Sequence, residues 1–88
     1  MTPFFSVIIP VYNSSDTVGK LTEDFLSQDF EDFELILIDD CSDDESGDIC
    51  RAYAQKDRRI LYIKNKENKG VSYTRNIGLD MAKGRYAV

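Results

Sequence analysis

The chain has 88 residues, which is enough for one domain. Hydrophobic residues make up 42% and charged residues 31%, which excludes a disordered tail, and no apolar run nears the roughly 20 residues of a membrane-spanning helix. The net charge of −5 argues against a nucleic-acid binder and is unevenly spread: residues 1–50 carry thirteen acidic side chains and one basic, residues 51–88 three acidic and ten basic.

Phe4 to Ile9 reads as a first strand, and Pro10, which has no N–H to donate, is expected to end its ladder. Val11, Tyr12 and Asn13 follow as a loop. Ser14, Ser15 and Asp16 offer a helix cap and first-turn charge, and Val18, Leu21, Phe25 and Leu26 then recur at helical spacing. Gln28 to Asp32 is polar and turns the chain back. Leu35, Ile36, Leu37 and Ile38 run without a polar break, as in a strand covered on both faces, and stop at Asp39 and Asp40. Ser42 to Glu45 has the capping-box form. The helix after it should turn Ile49, Ala52 and Tyr53 inward, with Gly47 weakening its first turn. Ile60 to Ile63 is a third strand, Lys64 to Gly70 a basic loop. A third helix opens at Val71 or Ser72 and runs past Ile77 to Met81. Gly84 is placed as its C-terminal glycine, and Arg85 to Val88 begins a fourth strand. The alternation predicts an α/β, Rossmann-like parallel sheet in strand order 3-2-1-4, with helices on both faces and right-handed crossovers.

In such sheets ligands bind outside the carboxyl ends of the strands, where Asp39 and Asp40 fall. These two and Ser42 equally fit a turn and a helix cap. If the first two strands are neighbours, Pro10 to Asn13 faces Asp39 to Ser42 across one crevice. Tyr12 offers a ring on which a planar base can stack, and a carboxylate can accept from base N–H groups. Tyr12 equally fits a loop aromatic folded onto the sheet. Gly70 and Arg75 would approach from the third helix. Arg75 is a donor fork suited to phosphate, or simply a surface cation. The acidic first half and basic second half suggest a site with an anionic wall and a cationic wall.

Several classes drop out. There is no G-x-x-x-x-G-K-[ST] loop and no G-x-G-x-x-G after the first strand. Met1 to Pro10 has no basic residue before its apolar run and does not read as a secretory signal, so the Asn13-Ser14-Ser15 sequon carries little weight. Cys41 and Cys50 form no CxxC pair and the chain has no histidine, which favours free thiols over a disulfide or zinc site. A phospho-acceptor receiver domain would place its acidic pair after the first strand, not the second.

Four blocks, Ser6–Asn13 (SVIIPVYN), Glu34–Asp44 (ELILIDDCSDD), Asn68–Gly78 (NKGVSYTRNIG) and Ala82–Tyr86 (AKGRY), resemble family 2 glycosyltransferases of the GT-A fold, in order and spacing. The resemblance implies transfer of a sugar, usually with inversion, from a nucleotide-diphosphate donor, a UDP-sugar first, to a saccharide, lipid or protein acceptor, as in cell-surface polysaccharide synthesis. It implies that Pro10 and Tyr12 line the base pocket with Asn13 beside them. Asp40, ahead of Asp39, would accept from the base, and Arg75 would lie near base or diphosphate. The family's metal-binding Asp-x-Asp, which holds Mg or Mn, would begin beyond Val88, and the catalytic base further on. Residues 1–88 are therefore expected to be the nucleotide-binding half of a truncated domain, with no catalytic or metal-binding residue and no activity alone. Further expectations are a cytoplasmic site, at most peripheral to the inner face of the membrane, and self-association through the truncated edge. The alternative is a non-catalytic nucleotide-binding or interaction module.

Overall fold

The computed structural model describes residues 3–28, 32–84 and 86–87. Strands and helices alternate: β1 (Phe5–Val11), α1 (Val18–Leu26), β2 (Phe33–Asp39), α2 (Ser46–Lys56), β3 (Ile60–Lys64), α3 (Val71–Met81) and β4 (Tyr86–Ala87). Every pairing is parallel and the order is β3-β2-β1-β4, as the alternation predicts. Of the turn expected over Gln28 to Asp32, residues 29–31 lie outside the described residues, as do Arg85 and Val88 of the expected fourth strand.

The unbroken apolar run explains the layering. Leu35, Ile36, Leu37 and Ile38 are all 0% exposed, which requires cover on both faces of β2. Leu35 and Leu37 join Val11, Val18, Phe33, Cys50 and Ile60 under α1 and α2. Ile36 and Ile38 join Ile8 on the opposite face, under Ile77 of α3. Among the described residues, no helix is long and apolar enough to cross a membrane.

Four local expectations give way to packing. β1 runs through Pro10 to Val11, with Pro10 opposite Ile38. Val11 turns its carbonyl toward β2 and Phe4 turns its carbonyl toward β4. Successive residues alternate sides, so the missing donor of Pro10 falls on the β4 side, not in the β1–β2 ladder. On α1 the buried position is Thr22, not Leu21. Its hydroxyl donates to the Val18 carbonyl at 2.8 Å, which lets a polar side chain sit inside. On α2, Ile49 and Tyr53 pack inward as expected, but Ala52 is exposed and Cys50 fills the core.

Gly84 does not cap α3, which ends at Met81 with Ala82 following in an extended conformation. It instead lies against the start of β1, where an added Cβ would stand 2.6 Å from the Ser6 nitrogen and 2.7 Å from the Phe5 carbonyl carbon. The Gly84 N–H donates to Ser6 Oγ at 2.7 Å, the Ser6 hydroxyl donates to Glu34 Oε2 at 2.5 Å, and the Lys83 N–H donates to the same Glu34 oxygen at 2.6 Å. This polar clasp fixes where β4 enters the sheet.

Candidate functional site

β1 and β2 end side by side. Val11 pairs with Asp39, and the Asp40 N–H donates to the Val11 carbonyl at 2.8 Å. The two loops that leave this edge are laced together. The Asn13 N–H donates to Ser42 Oγ (2.9 Å), the Asp43 N–H to Asn13 Oδ1 (2.8 Å), the Ser14 N–H to Ser46 Oγ (2.7 Å) and the Ser15 N–H to Asp44 Oδ2 (3.1 Å). Asn13 (φ 48°) and Cys41 (φ 62°) adopt the left-handed conformation, each soon after its strand. Asparagine tolerates this region, whereas for cysteine it costs on the order of 1–3 kcal/mol, which the lacing must offset.

The lacing overrides both expected caps. Ser42 is engaged with Asn13 and does not cap α2, which begins at Ser46 with the Ser46 N–H held by Asp44 Oδ1 at 2.9 Å. The first N–H of α1, on Val18, goes to the Ser14 carbonyl at 2.8 Å and not to a side chain.

Asp39 and Asp40 both lie inside, at 1% and 4% exposure. Asp39 accepts the Ser42 N–H at 2.9 Å and the Tyr62 hydroxyl at 3.1 Å. Gly47 leaves room for this pair, because a Cβ there would lie 2.8 Å from both Asp39 Oδ2 and Tyr62 Oη. Its role in the first turn of α2 is therefore space for a close approach. Burial, then the Asp39 charge and hydrogen bond, push the Tyr62 hydroxyl up to about 12. Burial and Asp39 likewise push the Cys50 thiol up to about 12, and both cysteines are free thiols.

Asp40 turns to β3 and α3. Its Oδ1 accepts from Asn65 Nδ2 (2.9 Å) and the Lys69 N–H (2.7 Å), and its Oδ2 from the Gly70 N–H (2.8 Å). Gly70 (φ 90°) is the cap position of α3, so a carboxylate from β2 closes that helix end. Burial alone would raise the Asp40 carboxyl. The hydrogen bonds from Asn65, Lys69, Gly70 and Thr74 outweigh it and hold the group below 3.8.

Tyr12 is 48% exposed and so is not folded onto the sheet. Pro10 is half-buried in β1, and Asn13 is exposed. Arg75 is exposed on α3 and, among the described residues, has no ion-pair partner. Asp43, Asp44 and Glu45 are exposed, and the basic loop follows β3. There the Lys69 ammonium meets Glu67 at 2.6 Å and lies over the Tyr73 ring at 5.6 Å. The structure thus brings Tyr12, Asn13, Asp39 and Asp40 to one edge and carries Arg75 on the helix that Asp40 anchors. The sequence reading missed Asn65, Thr74 and Ser46 as partners in this edge. The available signal was position: Asn65 directly follows β3, at the same sheet edge as Asp40. Among the described residues, no three of His, Cys, Asp and Glu gather where a metal ion could bind.

An acid dependence follows. A carboxyl whose folded value lies below its unfolded value stabilises the fold above the unfolded value, and that contribution fades as pH falls through the folded value. Asp40 is of this kind. So is Asp44, brought to about 2, chiefly by the Ser46 hydroxyl and then, against burial, by the Ser46 and Ser15 N–H groups. Stability measured by denaturant titration should fall steadily from about pH 4 to about pH 2. Asp44→Asn should flatten the lower part of that slope, and an unchanged slope would count against it.

The family model described as "Glycosyl transferase family 2" matches residues 6–88. A curated Escherichia coli relative, UDP-Glc:alpha-D-GlcNAc-diphosphoundecaprenol beta-1,3-glucosyltransferase WfaP, is 44% identical over 81 residues, 92% of this chain and 32% of the relative. S. aureus TarS 1-349 in complex with UDP-GlcNAc superposes with a TM-score of 0.89 at 33% identity, covering 97% of this chain and 25% of that one. The mannosyltransferase PcManGT from Pyrobaculum calidifontis, in complex with GDP-Man and Mn2+, shares the fold, with a TM-score of 0.82 at 22% identity over 93% of this chain and 25% of that one. This chain spans a third or less of the length of these proteins.

Proposed function

The chain belongs to glycosyl transferase family 2, and from that premise we propose that it forms the nucleotide-recognition part of an enzyme that moves a sugar from a nucleotide-diphosphate donor to an acceptor. The observation that carries this reading is the exposed Tyr12 ring beside the anchored Asp40 at the joint carboxyl edge of β1 and β2. The donor base stacks on Tyr12 above Pro10, and a base N–H meets the Asp40 carboxylate. Asn13 and Asp39 hold the two loops in place. Arg75 turns its guanidinium to the diphosphate. Uracil is the base of choice, because the relative WfaP at 44% identity is named for UDP-Glc and TarS at 33% identity is bound to UDP-GlcNAc.

The family's divalent metal finds no fit among the described residues. Among those residues, no three of His, Cys, Asp and Glu gather where a cation could be held. The role of residues 1–88 is accordingly binding and orientation of the nucleotide.

Calorimetric titration of the chain with UDP tests the reading. Saturable binding is expected, weakened in Tyr12→Ala by about 1–3 kcal/mol, the scale of one base stacked on an aromatic ring. Tyr12 is half-exposed, so this variant keeps its melting temperature. Absence of UDP binding by the folded wild type, or equal affinity in the variant, would remove the crevice from consideration.

A further inference from the structure

We infer that Asn65 and Thr74 are positioning residues for base recognition, holding the Asp40 carboxylate in one orientation at the crevice. The inference rests on the nucleotide reading above and adds residues that touch neither base nor phosphate.

Asn65 is fixed before it meets Asp40. Its N–H donates to the Asp39 carbonyl at 2.8 Å, and the residue is 8% exposed. A primary amide has two N–H donors, and Asn65 commits its amide nitrogen to both Asp40 Oδ1 (2.9 Å) and Thr74 Oγ1 (3.0 Å). Turning the amide over would set its oxygen against a carboxylate, so the orientation is dictated. Thr74 is 0% exposed and one turn into α3, where its N–H bonds the Gly70 carbonyl at 3.1 Å. A valine would fill the same volume without burying a hydroxyl, so the polar atom is there for its hydrogen bonds. Asn65 and Thr74 therefore tie the ends of β2 and β3 to the first turn of α3 through one carboxylate.

The consequence is chemical as well as geometric. A buried carboxylate stays ionised only while donors face it, and only the ionised form accepts freely from a base N–H. Both residues contribute to keeping the Asp40 carboxyl low. The charged groups around it do not substitute for them. Asp39 is engaged with Ser42 and Tyr62, the Lys69 ammonium with Glu67, and Arg75 is exposed on α3.

Two measurements on the whole chain test this. The first follows the Asp40 carboxyl carbon by NMR from about pH 2 to pH 7 and needs no ligand. Asn65→Ala and Thr74→Val should raise its midpoint by about one unit, while Thr74→Ser, which keeps the hydroxyl, should match wild type. Midpoints unmoved in folded Asn65→Ala and Thr74→Val overturn the inference. The second is UDP titration at neutral pH and near pH 5. Asn65→Ala and Thr74→Val should bind about tenfold more weakly at both, because the carboxyl stays mostly ionised at either and what is lost is its orientation, and Thr74→Ser within about twofold of wild type. Wild-type affinity in Asn65→Ala and Thr74→Val overturns the inference while leaving the nucleotide reading intact. Failure of the wild type to bind UDP overturns that reading and the role assigned to both residues with it.

Discussion

Asp40→Ala should lower the unfolding free energy at neutral pH by about 3–5 kcal/mol, a large share of the 5–15 kcal/mol typical of a small domain. The substitution removes little volume but strips the acceptor from three donors at once, the Asn65 amide and the N–H groups of Lys69 and Gly70. Each orphaned donor in a low-exposure site costs roughly 1–3 kcal/mol, and water reaching the loop recovers part of the sum. Asp40→Asn, which keeps one carbonyl oxygen, should fall between. The difference between wild type and Asp40→Ala should shrink as pH falls through the lowered value of the wild-type carboxyl and that group becomes protonated. Denaturant titrations of the three proteins decide it. A loss under about 1 kcal/mol at neutral pH would mean that the loop closes α3 without help from β2.

Gly84→Ala should be nearly as damaging, at about 2–4 kcal/mol, at the opposite end of the sheet. The added methyl would stand 2.6 Å from the Ser6 nitrogen and 2.7 Å from the Phe5 carbonyl carbon. These are main-chain atoms of a strand paired on both sides, so β1 cannot yield and the Lys83–Gly84 turn must withdraw. Withdrawal breaks the bonds to Ser6 and Glu34 and leaves a buried hydroxyl and a carboxylate with fewer partners. Hydrogen exchange localises the effect. The Tyr86 amide, bonded to the Phe4 carbonyl at 3.0 Å, should lose protection well before the β2 amides do. Uniform protection in the variant would show that the clasp does not govern β4.

What the sequence made legible, and what it hid, divides along one physical line. Period and composition reveal which segments are covered, so the run from Leu35 to Ile38 identified the central strand, its two-sided burial and the carboxylates at its end. They do not reveal where a polar group's partner lies when that partner is thirty residues away. Ser42 and Glu45 have the spacing of a local cap, yet the Ser42 hydroxyl serves Asn13 across the crevice. Gly47 and Gly84 read as a weak helix start and a helix stop, yet each is small because another chain segment passes within a methyl's width. Thr22 and Thr74 carry no apolar pattern that would mark them as covered, yet both are wholly buried, each with its hydroxyl bonded. The placing of Tyr12 and Asp40 at one sheet edge was readable because each directly follows a strand that the pattern reveals. The Asn65–Thr74 support was not, because it exists only once β3 and α3 are folded over β2.

Pro10 gives the sheet a fork. β1 is hydrogen-bonded to β2 along its whole length, while its described pairing with β4 ends at Ser6 opposite Ala87. The next β1 residues that face that way are Ile8 and Pro10, and the second has no hydrogen to give. A neighbour running on beside β1 would meet a missing rung, and its facing carbonyl would have to look elsewhere for a donor. A strand on that side of β1 is therefore held by one hydrogen bond fewer toward the carboxyl end of β1. The seam between β1 and β4 is also the place where the order of winding reverses, with α1 and α2 covering one face and α3 the other. A single imino acid, silent in the β1–β2 ladder, thus leaves one rung without a donor on the other side of β1.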